Sequence, residues 1–157
     1  MSTADKILVD SKLLLQIEKW KEGGETIVFT NGCFDLLHLG HVDYLEKAAE
    51  KGTKLIVAIN TDSSVKKLKG PNRPVNNEYA RARLLAALSF VDAVTFFSED
   101  TPENIISTLL PDVLIKGSDY TISNIVGADI VLRNGGKVET IDLVAGYSTT
   151  SIINQFK

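Results

Sequence analysis

The sequence predicts an α/β protein: a single domain built on a doubly wound parallel sheet with helices on both faces. Three observations carry that expectation. Uncharged, β-branched or apolar runs alternate along the chain with segments whose apolar residues recur at helical spacing. The run Lys54–Asn60 is unbroken and apolar through its centre, which suits a strand covered on both faces. Glycine pairs, capping residues and prolines punctuate the segments, and strands spaced by helices require right-handed crossovers.

Composition sets the bounds. At 157 residues, 44 % apolar and 24 % charged, the chain has material for one globular domain with a sizeable core. Residues 1–24 are expected as an N-terminal accessory helix and 25–157 as the functional domain. The net charge of −3 argues against a nucleic-acid partner, which usually meets a basic surface. One cysteine allows no intramolecular disulfide, which fits a reducing cytoplasm. The N-terminus has no charged-then-apolar leader pattern, and Leu13-Leu14-Leu15 is far too short to span or enter a membrane. A cytoplasmic protein without a membrane partner is expected.

In chain order, Ser11 is placed to cap a first helix with Leu14, Ile17 and Lys21 on one stripe and Leu13 and Trp20 beside it. Gly23-Gly24 stops that helix. Residues 26–30 form the first strand, and a helix runs from the two histidines through Tyr44, Leu45, Ala48 and Ala49 to Gly52. Thr61-Asp62 follows the second strand at its C-terminal end, where open α/β sheets bind ligands. Asp62 either caps the short helix through Val65 and Leu68 or steadies the site. Lys66, Lys67, Lys69 and Arg73 then place four positive charges in a loop bounded by Gly70, Pro71 and Pro74. The loop leaves the ligand edge and reads as a phosphate clamp, with Lys69 and Arg73 best held.

Asn77 caps the next helix, residues 78 to about 90, with Leu84, Leu85 and Leu88 on its apolar side and Arg81 and Arg83 facing elsewhere. Ala93–Phe97 is the third strand. Pro102 takes the first position of a helix that ends by Pro111, and residues 112–117 give the fourth strand. Ser118-Asp119-Tyr120 lies at its tip. A helix carrying Ile125, Ile130, Val131 and Leu132 stops at Gly135-Gly136, residues 137–144 give the last strand, and Gly146-Tyr147-Ser148-Thr149-Thr150 opens a terminal helix.

The chemistry concentrates in residues 26–41. A buried-looking strand ends in the turn-prone pair Asn31-Gly32, and a helix begins near His38 and His41, the only histidines in the chain. A strand, turn and helix in this order present backbone N–H groups and a helix N-terminus to a phosphate. Gly40, between the histidines, removes a Cβ and lets a bulky triphosphate approach the backbone. No P-loop lysine pattern and no GxGxxG accompany the stretch, so neither kinase-type hydrolysis nor dinucleotide binding is indicated. Cys33 reads as a small turn residue rather than a nucleophile, since no base is placed beside it.

The string Gly32-Cys33-Phe34-Asp35-Leu36-Leu37-His38-Leu39-Gly40-His41 resembles the HxGH nucleotidyltransferase superfamily, in its cytidylyltransferase-like branch, and implies that family's Rossmann-like fold. Leu68-Lys69-Gly70, Arg73-Pro74-Val75-Asn76, Glu99-Asp100-Thr101-Pro102, residues 111–117 with Asp119-Tyr120, and Ser148-Thr149-Thr150 narrow the likeness. They resemble the D-glycero-β-D-manno-heptose 1-phosphate adenylyltransferases of lipopolysaccharide-core and S-layer sugar synthesis. In many bacteria that activity is the C-terminal half of a protein fused to a sugar kinase; in 157 residues it would stand alone.

The resemblance implies transfer of AMP from ATP to a sugar phosphate, with Mg²⁺ bound through the ATP phosphates, no protein metal site, and a homodimer. His38, His41 and Lys69 are the implied catalytic residues. Asn31, Gly32, Cys33, Phe34, Gly40, Arg73 and Arg81 are implied around the phosphates, and Gly146, Tyr147, Ser148, Thr149 and Thr150 around base and ribose. Asp35, Lys116, Asp119 and Tyr120 are assigned to the sugar phosphate. The rival within the superfamily is a cytidylyltransferase for glycerol 3-phosphate or a similar alcohol phosphate. Its relatives carry RTEGISTT where this chain has Leu143-Val144-Ala145-Gly146-Tyr147 before its serine, which favours ATP. A rival of another class is a non-catalytic nucleotide-binding regulator; intact His38, Gly40, His41 and Lys69 speak against it.

Overall fold

The computed structural model describes residues 2–157. Five strands, β1 (Ile27–Gly32), β2 (Lys54–Asn60), β3 (Ala93–Phe97), β4 (Val113–Gly117) and β5 (Lys137–Ile141), form one parallel sheet in the order β3-β2-β1-β4-β5. The helices are α1 (Asp10–Glu22), α2 (Leu39–Ala49), α3 (Asp62–Lys69), α4 (Glu78–Ala86), α5 (Glu103–Leu109), α6 (Ala128–Arg133) and α7 (Thr149–Asn154). The chain winds outward from β1 to β3, then crosses back to place β4 on the other side of β1. That reversal is the switch point where doubly wound sheets open a crevice.

Strand alternation divides the core into two layers. Val28, Leu55, Val57, Ile59, Val113 and Ile115 face α2 and α4, packing on Leu45, Ala48, Ala82 and Leu85. Ile27, Phe29, Ile56, Ala58 and Leu114 face the other way, against α1, α5 and α6. Because most residues of β1 to β4 are buried, these strands read as apolar runs and their positions follow the sequence closely, whereas the edge strand β5 is half exposed and stops at Ile141, short of the expected residue 144.

Helix α1, expected as part of an outer accessory, belongs to this second layer. Leu13 and Ile17 are buried beside Ile27 and Phe29. Just before α1, the Leu8 N–H donates to the Val94 carbonyl at 2.9 Å and extends the sheet at β3. The phase of α1 also differs from expectation. Its buried stripe is Leu13–Ile17, while Leu14 is 40 % exposed. Ser11 lies inside the helix, whose N-cap is Val9 without a side-chain bond. Helix α4 is shorter than expected, ending at Ala86, whereas Asn77 caps it as anticipated by accepting the Ala80 N–H at 2.8 Å.

One irregularity of the sheet positions everything downstream. β1 and β2 stay paired from Ile27↔Lys54 to Gly32↔Ile59. β1 and β4 pair only at Val28↔Val113 and Phe29↔Leu114. Beyond that the two strands part. The Ile115 carbonyl is taken instead by side chains, with the Thr30 hydroxyl at 3.0 Å and the Tyr44 hydroxyl at 3.1 Å, the two oxygens 2.7 Å apart. Burial pushes the Tyr44 phenol well above its ordinary pKa, so it remains a neutral hydroxyl. The fork opens the sheet at its C-terminal edge while leaving the buried carbonyl satisfied. No helix among the described residues is long and apolar enough to cross a membrane.

If α1 is core, Ile17→Ala should cost about 2–5 kcal/mol, the range for truncating a buried aliphatic side chain. Urea unfolding measures it; a loss of a few tenths would return the helix to accessory status.

Candidate active site

A cleft of about 690 Å³ lies over the fork. Its floor is the turn 31–35 with α2's N-terminus, one wall carries Asn60, Lys69 and residues 97 and 100–102, and the other carries Lys116, Gly117, Tyr120, Leu143, Val144 and residues 147–150. The turn is held in an uncommon shape. Phe34 has φ of 48°, a left-handed conformation costly for a residue with a side chain. Its ring folds back over Gly32, where a Cβ would sit 2.9 Å from Phe34 Cε2, so glycine is required there.

The Phe34 ring meets His41 edge-on with centroids 5.1 Å apart. His41 in turn stacks on His38, centroids 3.8 Å apart and planes 21° from parallel. His38 is the N-cap of α2 but makes no side-chain capping bond, so the N–H groups that open this eleven-residue helix are not taken by its side chain. Gly40 serves a purpose other than the expected one. A Cβ there would lie 2.9 Å from His38 Cε1 and 3.0 Å from its Nδ1, so the glycine makes room for the His38 ring rather than for a phosphate.

Both Nδ1 atoms are buried without a hydrogen-bond partner. Burial, reinforced by the neighbouring His38, lowers the His41 pKa to about 4 against a weaker opposing contact with the Leu36 backbone. Burial also lowers that of His38. In the empty cleft the pair is therefore neutral at pH 7. A polyanion placed against it restores the incentive to hold a proton.

Among the charged residues, two expected ligands, Asp35 and Arg81, are engaged by the protein itself. Asp35, expected to bind the sugar phosphate, is buried and consumed by the loop after α3. It accepts Arg73 Nε at 2.7 Å, the Val75 N–H at 2.9 Å and the Asn76 N–H at 3.0 Å. Burial alone would raise its pKa; the Asn76 and Val75 N–H groups and the Arg73 guanidinium overcome that and hold the carboxyl below its usual range. Arg73 lines the cleft with its charge already matched.

Arg81, expected at the phosphates and facing away from the core, is fully buried and lines no part of the cleft. Its Nη1 donates to the carbonyls of Cys33 at 2.9 Å and Asn60 at 2.8 Å. Its Nε donates to the Asn76 carbonyl at 2.9 Å, and its Nη2 to Asp62 Oδ1 at 2.8 Å. One guanidinium thus ties the turn, the end of β2, the start of α3 and the following loop. Asp62 steadies the site through this pair, while Thr61 holds the cap position.

Three of the four expected clamp charges stand on a helix rather than in a loop, and two of the four do not line the cleft. Lys66, Lys67 and Lys69 lie in the last turn of α3, and Lys67 pairs with Asp100 at 2.8 Å across the rim. Only Lys69 and Arg73 of that set reach the cleft. Cys33 offers its thiol to Asn60 Oδ1 at 3.6 Å. Burial raises its pKa, more than the cations Lys69, Arg81 and Arg73 lower it, which agrees with a turn residue rather than a nucleophile.

Lys116 and Tyr120 line the other wall, with Lys116 Nζ 5.2 Å from the Tyr120 ring centroid. Asp119 does not line it; its carboxylate folds back over Gly117, 2.7 Å from where a Cβ would stand. From the last segment Tyr147, Ser148, Thr149 and Thr150 reach the cleft and Gly146 does not, its φ of 86° shaping the bend instead. Tyr147 stacks toward His38 at 6.3 Å, and the Thr149 hydroxyl donates to the Leu36 carbonyl at 3.2 Å. Tyr44, Asn60 and Phe97 also line the cleft and escaped sequence reasoning. Asn60 and Phe97 were marked only by standing at the C-terminal ends of strands.

A doubly wound sheet, a glycine turn at its switch point and a stacked HxGH pair are the features of a nucleotidyltransferase fold. Residues 29–155 match the family model described as Cytidylyltransferase-like, and the chain belongs to that family. It is 52 % identical over 153 residues to the Bifunctional protein HldE of Mesorhizobium japonicum, covering 98 % of this chain and 31 % of that protein. The protein of the same name from Methylobacillus flagellatus is 55 % identical over 152 residues, at 97 % and 31 % coverage. The chain therefore spans under a third of the length of these relatives. The lipopolysaccharide core biosynthesis protein from Thermoplasma volcanium superposes with a TM-score of 0.62 at 26 % identity, over 77 % of this chain and 98 % of that one.

Two outcomes follow from the buried charges. Arg81→Met leaves Asp62 and three carbonyls unmatched and should cost about 3–5 kcal/mol in urea unfolding, the scale for breaking a buried pair from one side. A residue contacting phosphate would instead weaken ATP binding with little loss of stability. For His41, the folded imidazole takes its proton near pH 4 and the unfolded one near 6.5. The unfolded chain binds more protons between those values, so stability should fall as pH drops through the window and level off above it. His41→Asn should flatten that part of the stability–pH curve.

Proposed function

We propose that the protein transfers AMP from ATP to a sugar 1-phosphate, D-glycero-β-D-manno-heptose 1-phosphate, releasing pyrophosphate and forming ADP-heptose. The observation that carries the reading is the stacked, desolvated His38–His41 pair at the open N-terminus of α2, with Lys69 on the adjoining wall. The short strings shared with heptose 1-phosphate adenylyltransferases support the choice of substrates. So do relatives named as bifunctional, of which this chain matches 31 %, a share suited to one of two activities. The name of the Thermoplasma volcanium protein points the same way.

In the reaction an oxygen of the sugar phosphate bonds to the α-phosphorus of ATP. The bond from that phosphorus to the bridging oxygen breaks, and pyrophosphate leaves with the electron pair. The attacking oxygen is already anionic, so no general base is needed. The obstacles are repulsion between substrates and charge gathering on the α-phosphoryl oxygens and the leaving group. His38 and His41, the α2 N–H groups and Lys69 meet that charge from fixed positions in a half-enclosed cleft. Tyr147 offers an aromatic face beside His38 for the base.

Magnesium fits this site as a passenger of the triphosphate. The cleft carboxylates are committed, Asp35 to Arg73 and Asp100 to Lys67, which leaves the phosphate oxygens to hold it. When bound it would neutralise part of the phosphate charge.

The test is pyrophosphate release from ATP and CTP, at matched Mg²⁺, with heptose 1-phosphate and glycerol 3-phosphate as acceptors. ATP with the heptose should give the highest kcat/KM. An equal or higher value for CTP would favour the cytidylyltransferase that the family description suggests. His41→Ala should lower turnover by about 100-fold, the scale of losing one preorganised donor. Near-normal turnover would return the pair to a structural role.

A further inference from the structure

We propose that a second groove, beside the edge of β3, docks a short extended segment of a partner polypeptide with basic side chains, and that its occupant acts on the cleft through the loop between β3 and α5. The groove measures about 540 Å³ and lies between α1, α5 and the end of β3. Nucleotidyl transfer makes no use of it.

The edge of β3 is only half covered. Along a strand in a parallel sheet, alternate residues turn N–H and C=O to the same neighbour. Val94 faces outward and takes the Leu8 N–H, whereas Phe97 faces inward and takes the Thr61 N–H at 3.1 Å. Phe96 therefore faces outward with Val94. The segment that covers Val94 leaves the edge at Val9, turns through Asp10 at a φ of 50° and enters α1. Among the described residues nothing bonds to the Phe96 N–H or C=O, the open pair that sheet edges offer to another chain. The Phe96 ring packs into the layer of α2 and α4, so its main chain is what it turns to the groove. At the next outward position the Ser98 N–H donates to Glu99 Oε2 at 3.2 Å, a carboxylate standing in for a neighbouring strand's carbonyl.

The lining selects the occupant. Leu13 and Leu109 supply an apolar floor, with Leu14 and Ile105 beside them. Thr95, 2 % exposed, lines the groove with its hydroxyl unpartnered among the described residues. Asp10 and Glu99 bring two carboxylates, and no lysine, arginine or histidine lines the groove. An anion would be repelled there. An extended basic chain supplies an amide and a carbonyl for Phe96, an apolar side chain for the floor and cations for the carboxylates. A second copy of this protein would instead bring the same two carboxylates to a two-fold contact, like against like. The loop links groove and cleft. Ser98 and Glu99 line the groove, Asp100, Thr101 and Pro102 line the cleft, and Phe97 lines both. An occupant that draws Glu99 off the Ser98 N–H moves a loop whose other face is the cleft wall.

The probe is a short peptide of alternating lysine and valine, capped at both ends and titrated to about 1 mM while the protein's amides are followed by NMR. The Phe96 amide should shift and exchange more slowly, and those of Asp100 and Thr101 should shift with it. The same peptide with N-methylated amides cannot add to an edge, and one with glutamate for lysine is repelled; each should bind at least about 10-fold more weakly. Leu14→Lys sets a cation beside the groove and should weaken binding by about 10-fold. Leu15→Lys places the same charge one residue away, outside the groove, and should change it by less than about 2-fold. Leu14 and Leu15 are 40 % and 57 % exposed, so both variants should fold, and thermal unfolding checks that they do. Equal effects of the two substitutions, full binding of the N-methylated peptide or an unmoved Phe96 amide would overturn the docking site. Binding that leaves Asp100 and Thr101 unmoved would overturn its link to the cleft. A Phe96 amide already protected without peptide, in a protein that sediments as a dimer, would make the occupant a second copy and overturn the choice of partner.

Discussion

The site depends on the parting of β1 from β4 after Phe29 and Leu114. A parallel sheet continued in register would close its own edge with hydrogen bonds. Here the hydroxyls of Thr30 and Tyr44 satisfy the Ile115 carbonyl, so the strands can diverge without stranding a buried acceptor. Tyr44 stands one helical turn beyond His41 on α2. The same hydroxyl pair that props the fork open also fixes how the histidine-bearing helix sits against the sheet. The opening and the chemistry placed in it are one construction.

Around that opening, much of the charge is spent on backbone rather than on substrate. Arg81 binds three carbonyls and one carboxylate, and Asp35 gathers Arg73 and two N–H groups. Irregular chain at a ligand edge has many polar groups and few regular partners. A buried guanidinium with its fixed fork of donors, and a carboxylate with its several lone pairs, satisfy them in bulk. The turn can then hold Phe34 in a strained conformation with the histidines close behind it. Lys69 and Lys116 line the cleft with no carboxylate partner among the described residues.

The outline of this fold was legible because the strands are buried on both faces and declare themselves as apolar runs. The HxGH turn and the Ser148–Thr150 segment were legible because their functional groups are near neighbours in sequence. What the sequence concealed was of two kinds. Leu13-Leu14-Leu15 has no phase of its own, so which leucine of α1 faces the core depends on packing. Arg81 and Asp35 look like ligands because a charged side chain does not announce its partner. Asn60 lies 21 residues from Arg81 and Cys33 lies 48, and only the folded sheet brings them together. Asp119 was placed at the right edge, but its carboxylate turns back over Gly117, a contact the sequence does not announce either.

The hydrogen bond from Thr149 to the Leu36 carbonyl joins the last helix to the histidine turn across 113 residues. Helix α7 buries no residue of its own and is six residues long, so it is held by its Ser148 cap, this bond and the edge of the cleft. Such a segment sits at the low end of local stability and opens far more readily than the sheet. A nucleotide lying between Tyr147 and the histidines would tighten it, spending part of its affinity on ordering the chain's end. Nucleotide in the cleft would thereby be felt at the other side of the histidine turn, as slower amide exchange in α7, a helix that buries none of its own residues.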